Sequence, residues 1–174
     1  MIGNRVVVVM GVTGTGKTTI GVLLAARFGV PFAEGDDFHS RANIAKMSGG
    51  TPLTDEDRGP WLDTIGEWAR DRTESGGVIS GSALRRAYRD RVRATAPDIV
   101  FVHLTGDREL IEERLARRQG HFMPIKLLAS QIAELQPLEP DEKGVTVDVS
   151  GTPEEITDRV VQSLRKLDAD AFAP

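Results

Sequence analysis

The chain of 174 residues contains no cysteine. That absence excludes disulfides, cysteine-based zinc sites and thiol nucleophiles, and it fits a reducing compartment, so a cytoplasmic protein is expected. Aromatic residues are scarce at 5%, with one tyrosine and two tryptophans. Few rings are left to stack on nucleobases. The formal net charge is −4, so there is no overall positive field to attract a nucleic acid, and no such partner is expected. Any anionic ligand must be held by a local cluster of cations. No apolar run is long enough to cross a bilayer, and no membrane partner is expected. The apolar stretch near the N-terminus runs into glycines and not into a small-residue cleavage site, so it does not read as a secretion signal.

What is present is the balance of a soluble globular protein, 40% hydrophobic and 28% charged. The length suits one domain over residues 1–174 with a core of its own. Val6, Val7, Val8, Val9 and Met10 form a short, β-branched, continuously apolar run, the mark of a strand buried on both faces of a parallel sheet. A glycine-rich loop follows, then an amphipathic helix over Thr18–Phe28. Further strands are expected at Pro31–Ala33, Val78–Ser80, Ile99–Leu104 and Val145–Val149. Helices are expected near Ser40–Met47, Thr54–Arg72, Arg85–Ala94, Asp107–Arg118, Ile125–Leu135 and Pro153–Leu167, with a frayed tail after Asp168. The alternation predicts an α/β fold: a three-layer, open parallel sheet of about five strands with helices on both faces. Residues 119–143 break the alternation and contain Gly120 and Pro124, so they are the expected mobile lid.

Gly11, Gly14, Gly16, Lys17 and Thr18 fit the phosphate-loop pattern G-x-x-x-x-G-K-[ST] over residues 11–18. Glycines let backbone N–H groups converge on phosphate oxygens, and the following helix N-terminus adds unpaired donors and a favourable dipole. Lys17 is placed to reach the β- and γ-phosphates and Thr18 to ligate Mg²⁺. A chance match in a chain this size is on the order of one in a hundred, and the match lies between a buried strand and a helix, as the chemistry requires. ATP and Mg²⁺ are the expected cofactors. The loop alone does not name the reaction, since hydrolases, switches and kinases share it.

Glu34, Asp36 and Asp37 follow the second strand. A carboxylate at a strand's carboxyl end lies beside the phosphate loop, where it could accept a proton from an attacking hydroxyl or hold Mg²⁺ through water. The plain alternative is an acidic turn capping the next helix. Arg85, Arg89 and Arg93 are four apart and share a helical face. Anion binding is expected near the strand end, and a solvated charged face beyond it. Arg114 and Arg118 are read either as contacts to adenine and the transferring phosphate or as cations on a helix C-terminus. Trp61 and Trp68 read as packing, and His121 as an ordinary loop residue unless it lies in the site.

Taken together, the chain resembles the gluconokinase family of small P-loop kinases. The resemblance rests on the phosphate loop together with Glu34–His39, Asn43–Met47, Gly50–Leu62, Ser82–Asp90, Arg114–Leu115, Arg118–Met123 and Leu127–Gln131. It covers nearly the whole chain in order. It implies ATP-dependent phosphorylation of D-gluconate at its 6-hydroxyl, an adenylate-kinase-like fold with a closing lid, and a homodimer. Carried over by position, the resemblance gives nucleotide contacts at Gly11, Thr13, Gly14, Thr15, Gly16, Lys17, Thr18, Thr19, Arg114 and Arg118. It implies catalytic roles for Lys17, Asp36 and Arg118, with Asp36 on the sugar hydroxyl and Arg118 on the lid. Thr18 and Glu34 fall at the metal. Asp36, His39, Lys46, Arg58, Arg85 and Arg89 become candidates for holding gluconate, and the turn Ser150–Pro153 falls at adenine.

Three departures from the family's usual pattern cover four positions: Ser40 for proline, Gly81 for cysteine, and Arg85 with Arg86 for lysines. Arginine keeps the charge but binds a carboxylate with two parallel hydrogen bonds. Two rival readings remain at this point. Another small-metabolite kinase, such as a shikimate-type enzyme, would respond to a different acceptor. A non-catalytic ATP-binding module would show no acceptor-dependent ADP release.

Overall fold

The computed structural model describes residues 5–117 and 124–171. Five parallel strands make one sheet: β1 (Val6–Met10), β2 (Phe32–Glu34), β3 (Gly77–Ser80), β4 (Val100–Thr105) and β5 (Gly144–Asp148), in the order β2-β3-β1-β4-β5. The helices are α1 (Lys17–Phe28), α2 (Arg41–Ser48), α3 (Asp55–Arg70), α4 (Arg86–Thr95), α5 (Arg108–Ala116), α6 (Pro124–Glu134) and α7 (Pro153–Ala171). The expected α/β architecture is therefore present. The strand order reverses direction around β1, and ligands of open parallel sheets bind at the carboxyl ends beside such a reversal.

The apolar run of β1 explains its central place. Val7 and Val9 face one layer, packing with Ile20 and Leu24 of α1 and Val160 and Leu164 of α7. Val6, Val8 and Met10 face the other, against Trp61, Leu62 and Ile65 of α3 and Val92 of α4. Period-two alternation with both faces covered requires an apolar residue at every position. A third, smaller cluster joins Val12, Leu84, Ile111, Leu115 and Leu128 above the carboxyl ends of the strands. The α3 helix begins with a capping box: Thr54 accepts from the Asp57 N–H at 3.1 Å, and the Asp57 carboxylate accepts from the Thr54 N–H at 2.9 Å.

Several boundaries differ from the sequence reading, each for a tertiary reason. The second strand is Phe32–Glu34, not Pro31–Ala33, because it pairs in register with Val78, Ile79 and Ser80 of β3. Residues Gly35–Phe38 then form a single 3-10 turn that the sequence did not announce. A Cβ at Gly35 would lie 2.1 Å from the Ser80 carbonyl oxygen, so only glycine lets the turn approach β3 this closely. The final helix continues to Ala171, held at Asp168 by an ion pair to Arg5, so the chain is helical where fraying was expected to begin.

The helical face carrying Arg89 and Arg93 is not solvated. Arg89 is fully buried. Its Nε and Nη2 meet the two oxygens of Glu142 at 2.7 and 2.9 Å, its Nη1 donates to the carbonyls of Ala83 and Leu84, and its Nη2 also donates to that of Pro137. All of the guanidinium's donors are thereby used. Arg93 adds a bond to Glu142 at 2.8 Å. Burial alone would raise the Glu142 carboxyl, but the bonds from Arg89, the Glu139 N–H and Arg93 outweigh it and hold it down at about 2. Residues 135–143, expected as part of a mobile lid, are fastened by this pair and by the Gln136 N–H to the Leu84 carbonyl at 2.7 Å.

Removing one partner of a buried ion pair strands the other charge. Arg89→Leu should lower the unfolding free energy by about 3–5 kcal/mol, measured by urea denaturation. Beside this pair, His103 is buried and its Nδ1 has no hydrogen-bond partner among the described residues. Burial, with the Arg89 charge behind it, lowers its pKa to about 4. The unfolded chain titrates near the ordinary value of 6.5 and so binds the extra proton between the two pH values. The stability that His103 contributes is complete above about 6.5 and is lost as pH falls towards about 4. Urea midpoints compared at pH 7 and pH 5 should show a smaller loss in His103→Leu than in the unsubstituted protein.

Candidate active site

The phosphate loop lies between β1 and α1, where the central strand ends. Gly14 has φ +84°, and a Cβ there would lie 2.7 Å from Leu115 and 3.0 Å from Ile111, so α5 packs directly on the loop. The buried Thr15 hydroxyl donates to the Val12 carbonyl at 2.9 Å, and the Lys17 ammonium donates to the same oxygen at 3.0 Å. No side chain caps α1 at its N-cap residue, Gly16. The first N–H groups of this helix are therefore left for an anion. Gly11, Thr13, Gly14, Thr15, Gly16, Lys17, Thr18 and Thr19 thus lie on one loop and the helical turn it enters.

Glu34, at the end of β2, accepts hydrogen bonds from the Thr18 hydroxyl and from the Ser80 hydroxyl, the latter at 2.6 Å. Its carboxylate therefore ties together the carboxyl ends of β2 and β3 and the start of α1. Among the described residues no group of three or more His, Cys, Asp or Glu could hold a metal by itself. Two hard oxygen donors beside a phosphate cradle suit Mg²⁺, which keeps several waters and takes phosphate oxygens as ligands.

Asp36 stands on the 3-10 turn, placed by the close approach of Gly35 to β3 and by the Trp61 indole N–H, which donates to the Gly35 carbonyl at 2.7 Å. The carboxylate opens to solvent, yet the surrounding walls desolvate it. That desolvation and the Glu34 charge raise its pKa above the usual carboxylate value, against the pull of Lys17 and His39. His39 stacks on Trp61 with ring centroids 4.3 Å apart, and its Nδ1 lies 3.3 Å from the Asn43 amide nitrogen. Burial lowers its pKa, Asp36 acting in the opposite direction and Arg58 in the same one. The balance favours the neutral imidazole.

A wall of cations stands beyond. Lys46 pairs with Asp57 at 2.8 Å, and bonds from Lys46 and the Thr54 cap hold the Asp57 carboxyl at about 2. Arg58 donates to the Tyr88 hydroxyl at 2.7 Å and to Glu134 at 3.2 Å. The Arg85 Nε lies 3.3 Å from the same Glu134 oxygen, and both guanidinium groups approach the Tyr88 ring. Arg58 and Arg85 thus converge. Arg89, expected with them, does not: its donors are consumed in the core, so it supports the wall without lining the site. Arg86 turns to Glu139 and Asp141 instead. On the nucleotide side, Arg114 Nη2 donates to the Gly151 carbonyl at 3.2 Å, which joins the expected adenine-side arginine to the turn after β5. Arg118 and His121 lie outside the described residues.

Sequence reasoning gave no role to Gln131, Glu134 or Tyr88. Gln131 accepts from the Thr13 N–H of the phosphate loop at 2.6 Å, and Glu134 accepts from Arg58 and Tyr88. The only signal for Gln131 and Tyr88 was membership of the segments Leu127–Gln131 and Ser82–Asp90, which carry no chemistry when read alone, and Glu134 lies in neither.

The AAA domain family model AAA_33 matches residues 6–138. The gluconokinase of Gluconobacter oxydans is 43% identical over 166 residues, covering 94% of this chain and 93% of that protein. The thermosensitive gluconokinase of Escherichia coli is 40% identical, covering 90% and 86%. The crystal structure of a gluconokinase from Sinorhizobium meliloti superposes with a TM-score of 0.89 at 42% identity, covering 97% of this chain and 96% of that one. Shikimate kinase from Aquifex aeolicus, at 17% identity and a TM-score of 0.60, shares the fold alone. These relatives share about two residues in five with this chain over nearly its whole length, and the chain belongs to the gluconokinase family.

Proposed function

We propose that the protein transfers the γ-phosphoryl group of ATP to the 6-hydroxyl of D-gluconate, giving 6-phospho-D-gluconate and ADP. The observation that carries this reading is Asp36, whose carboxyl feels the charges of Lys17 on the phosphate loop and of His39, which in turn feels Arg58. Phosphoryl transfer needs in-line positioning and charge stabilisation more than covalent chemistry. In this reading Arg58 and Arg85 hold the acceptor's carboxylate, which places its far hydroxyl at Asp36. A carboxyl whose pKa is raised accepts a proton near neutral pH more readily than an ordinary one. Lys17 and the amides of the loop and α1 take the charge of the β- and γ-phosphates. Thr18 and Glu34 would hold Mg²⁺, which when bound neutralises charge on the phosphate oxygens. Arg114 and the turn at Gly151 would face the adenine, and the family resemblance assigns Arg118 to the transferring group.

An acceptor screen tests this directly. ADP release from Mg·ATP should rise sharply with D-gluconate and stay at background with shikimate, glycerate and nucleosides. Lys17→Ala and Asp36→Ala should each lower kcat by about 10²–10⁴-fold while the fold, followed by circular dichroism, persists. Near-normal turnover in Asp36→Ala would remove that residue from the mechanism. Arg58→Ala and Arg85→Ala should each raise the KM for gluconate about tenfold or more while leaving the KM for ATP within about twofold, the loss expected for a charge-assisted hydrogen bond.

A further inference from the structure

Gln131 lies on α6, far from the phosphate loop in sequence, yet its side-chain oxygen accepts from the Thr13 N–H at 2.6 Å. A backbone N–H can bond only the oxygen end of an amide. The orientation of the Gln131 amide is therefore fixed, and its NH₂ group is directed away from Thr13 N. Its two donors have no hydrogen-bond partner among the described residues.

The end of the loop that Gln131 touches is identified by Lys17. The lysine of a phosphate loop serves the β- and γ-phosphates. Here the Lys17 ammonium lies 3.0 Å from the Val12 carbonyl, one residue before Thr13. Residues 12 and 13 therefore border the γ end of the nucleotide, while the N-terminus of α1 serves the phosphates nearer the ribose. An amide bonded to Thr13 N lies at the edge where the transferring group passes.

The amide is also well supported. One turn before it, Leu128 is fully buried against Val12, Leu84, Ile111 and Leu115. One turn after it, Glu134 is engaged by Arg58, Tyr88 and Arg85. Residues 128, 131 and 134 share one helical face. The helix is thus anchored to the loop on one side and to the acceptor wall on the other, with Gln131 between.

From this geometry we propose that Gln131 is a catalytic residue that donates a hydrogen bond to an equatorial oxygen of the γ-phosphoryl group as it transfers. The proposal rests on the reading of the protein as a kinase given above. The bond from phosphorus to the ADP oxygen breaks, the bond to the acceptor oxygen forms, and the acceptor's proton goes to Asp36. Gln131 exchanges no proton. Its neutral NH₂ donors, set in place before reaction, stabilise charge spread over the equatorial oxygens.

Two substitutions separate donation from simple pinning of the loop. Gln131→Glu keeps an oxygen for the Thr13 N–H but replaces the NH₂ group with a second oxygen. Gln131→Ala removes both. Both variants should lose about 100-fold or more in kcat with D-gluconate, the scale seen when one transition-state donor is removed. The KM for gluconate and the Kd for Mg·ADP should stay within about twofold. Affinity for Mg·ADP–aluminium fluoride in the presence of gluconate, a mimic of the transferring group, should fall in step with kcat. A Gln131→Glu variant within about threefold of normal kcat, with Gln131→Ala impaired, would make Gln131 a pin for the loop and overturn the proposal. So would a loss of Mg·ADP affinity as large as the loss of kcat. If the unsubstituted enzyme ignores gluconate, the acceptor assignment fails on its own. The same comparison, run with whichever acceptor raises ADP release, still decides the role of Gln131.

Discussion

The buried pair between Arg89 and Glu142 holds together parts of the chain that the site needs at fixed separation. Arg89 gives its donors to Glu142 and to the carbonyls of Ala83, Leu84 and Pro137. It thereby joins the loop after β3 to the segment that leads from α6 into β5. Ala83, at φ +42°, is in a left-handed conformation unusual for a residue with a side chain, and its carbonyl is one of those that Arg89 holds. Arg85, the residue just before α4, inherits its position from this loop. Glu134, which meets Arg85 and Arg58, inherits its position from the other side of the same fastening. A charge pair taken out of water gives little net stability, but its directional bonds fix register, and register is what a two-substrate site requires.

The site is assembled where strands end. β1 delivers the phosphate loop, β2 delivers Glu34 and the turn with Asp36, and β3 delivers Ser80 and the loop that leads to Arg85. Glu34 binds hydroxyls from two of these neighbours, so the carboxylate nearest the expected metal also sets the spacing between the loop and the acidic turn. Gly35 permits that spacing. Its missing side chain lets the turn press against the Ser80 carbonyl, and Trp61 secures the same peptide from the opposite side.

Much of this was legible in the chain. Five consecutive apolar residues in β1 announced a strand covered on both faces, and the loop after it announced a phosphate cradle. The helix beginning near Thr54 was equally plain. What could not be read was where distant segments meet. Arg85 and Arg89 are one helical turn apart and look equivalent in sequence. One faces the site and the other the core, because Glu142, more than fifty residues away, lies beside only one of them. The 3-10 turn was hidden for the same reason, since its cause is the backbone of β3. Gln131 gave no signal because a neutral amide marks no chemistry until a loop N–H is found against it.

The sheet order has a consequence for how such an enzyme can diversify. The strand that bears the phosphate loop is flanked on both sides and every one of its residues is buried. The strand that leads into the turn with Asp36 is at the rim, three residues long and only half-buried throughout. The nucleotide half is thus embedded in the part of the protein whose alteration would unfold it. Apart from Gly35, the acidic turn hangs from an edge where substitutions cost less packing than in β1. Changes of substrate can accumulate at that rim while the machinery for ATP stays as it is.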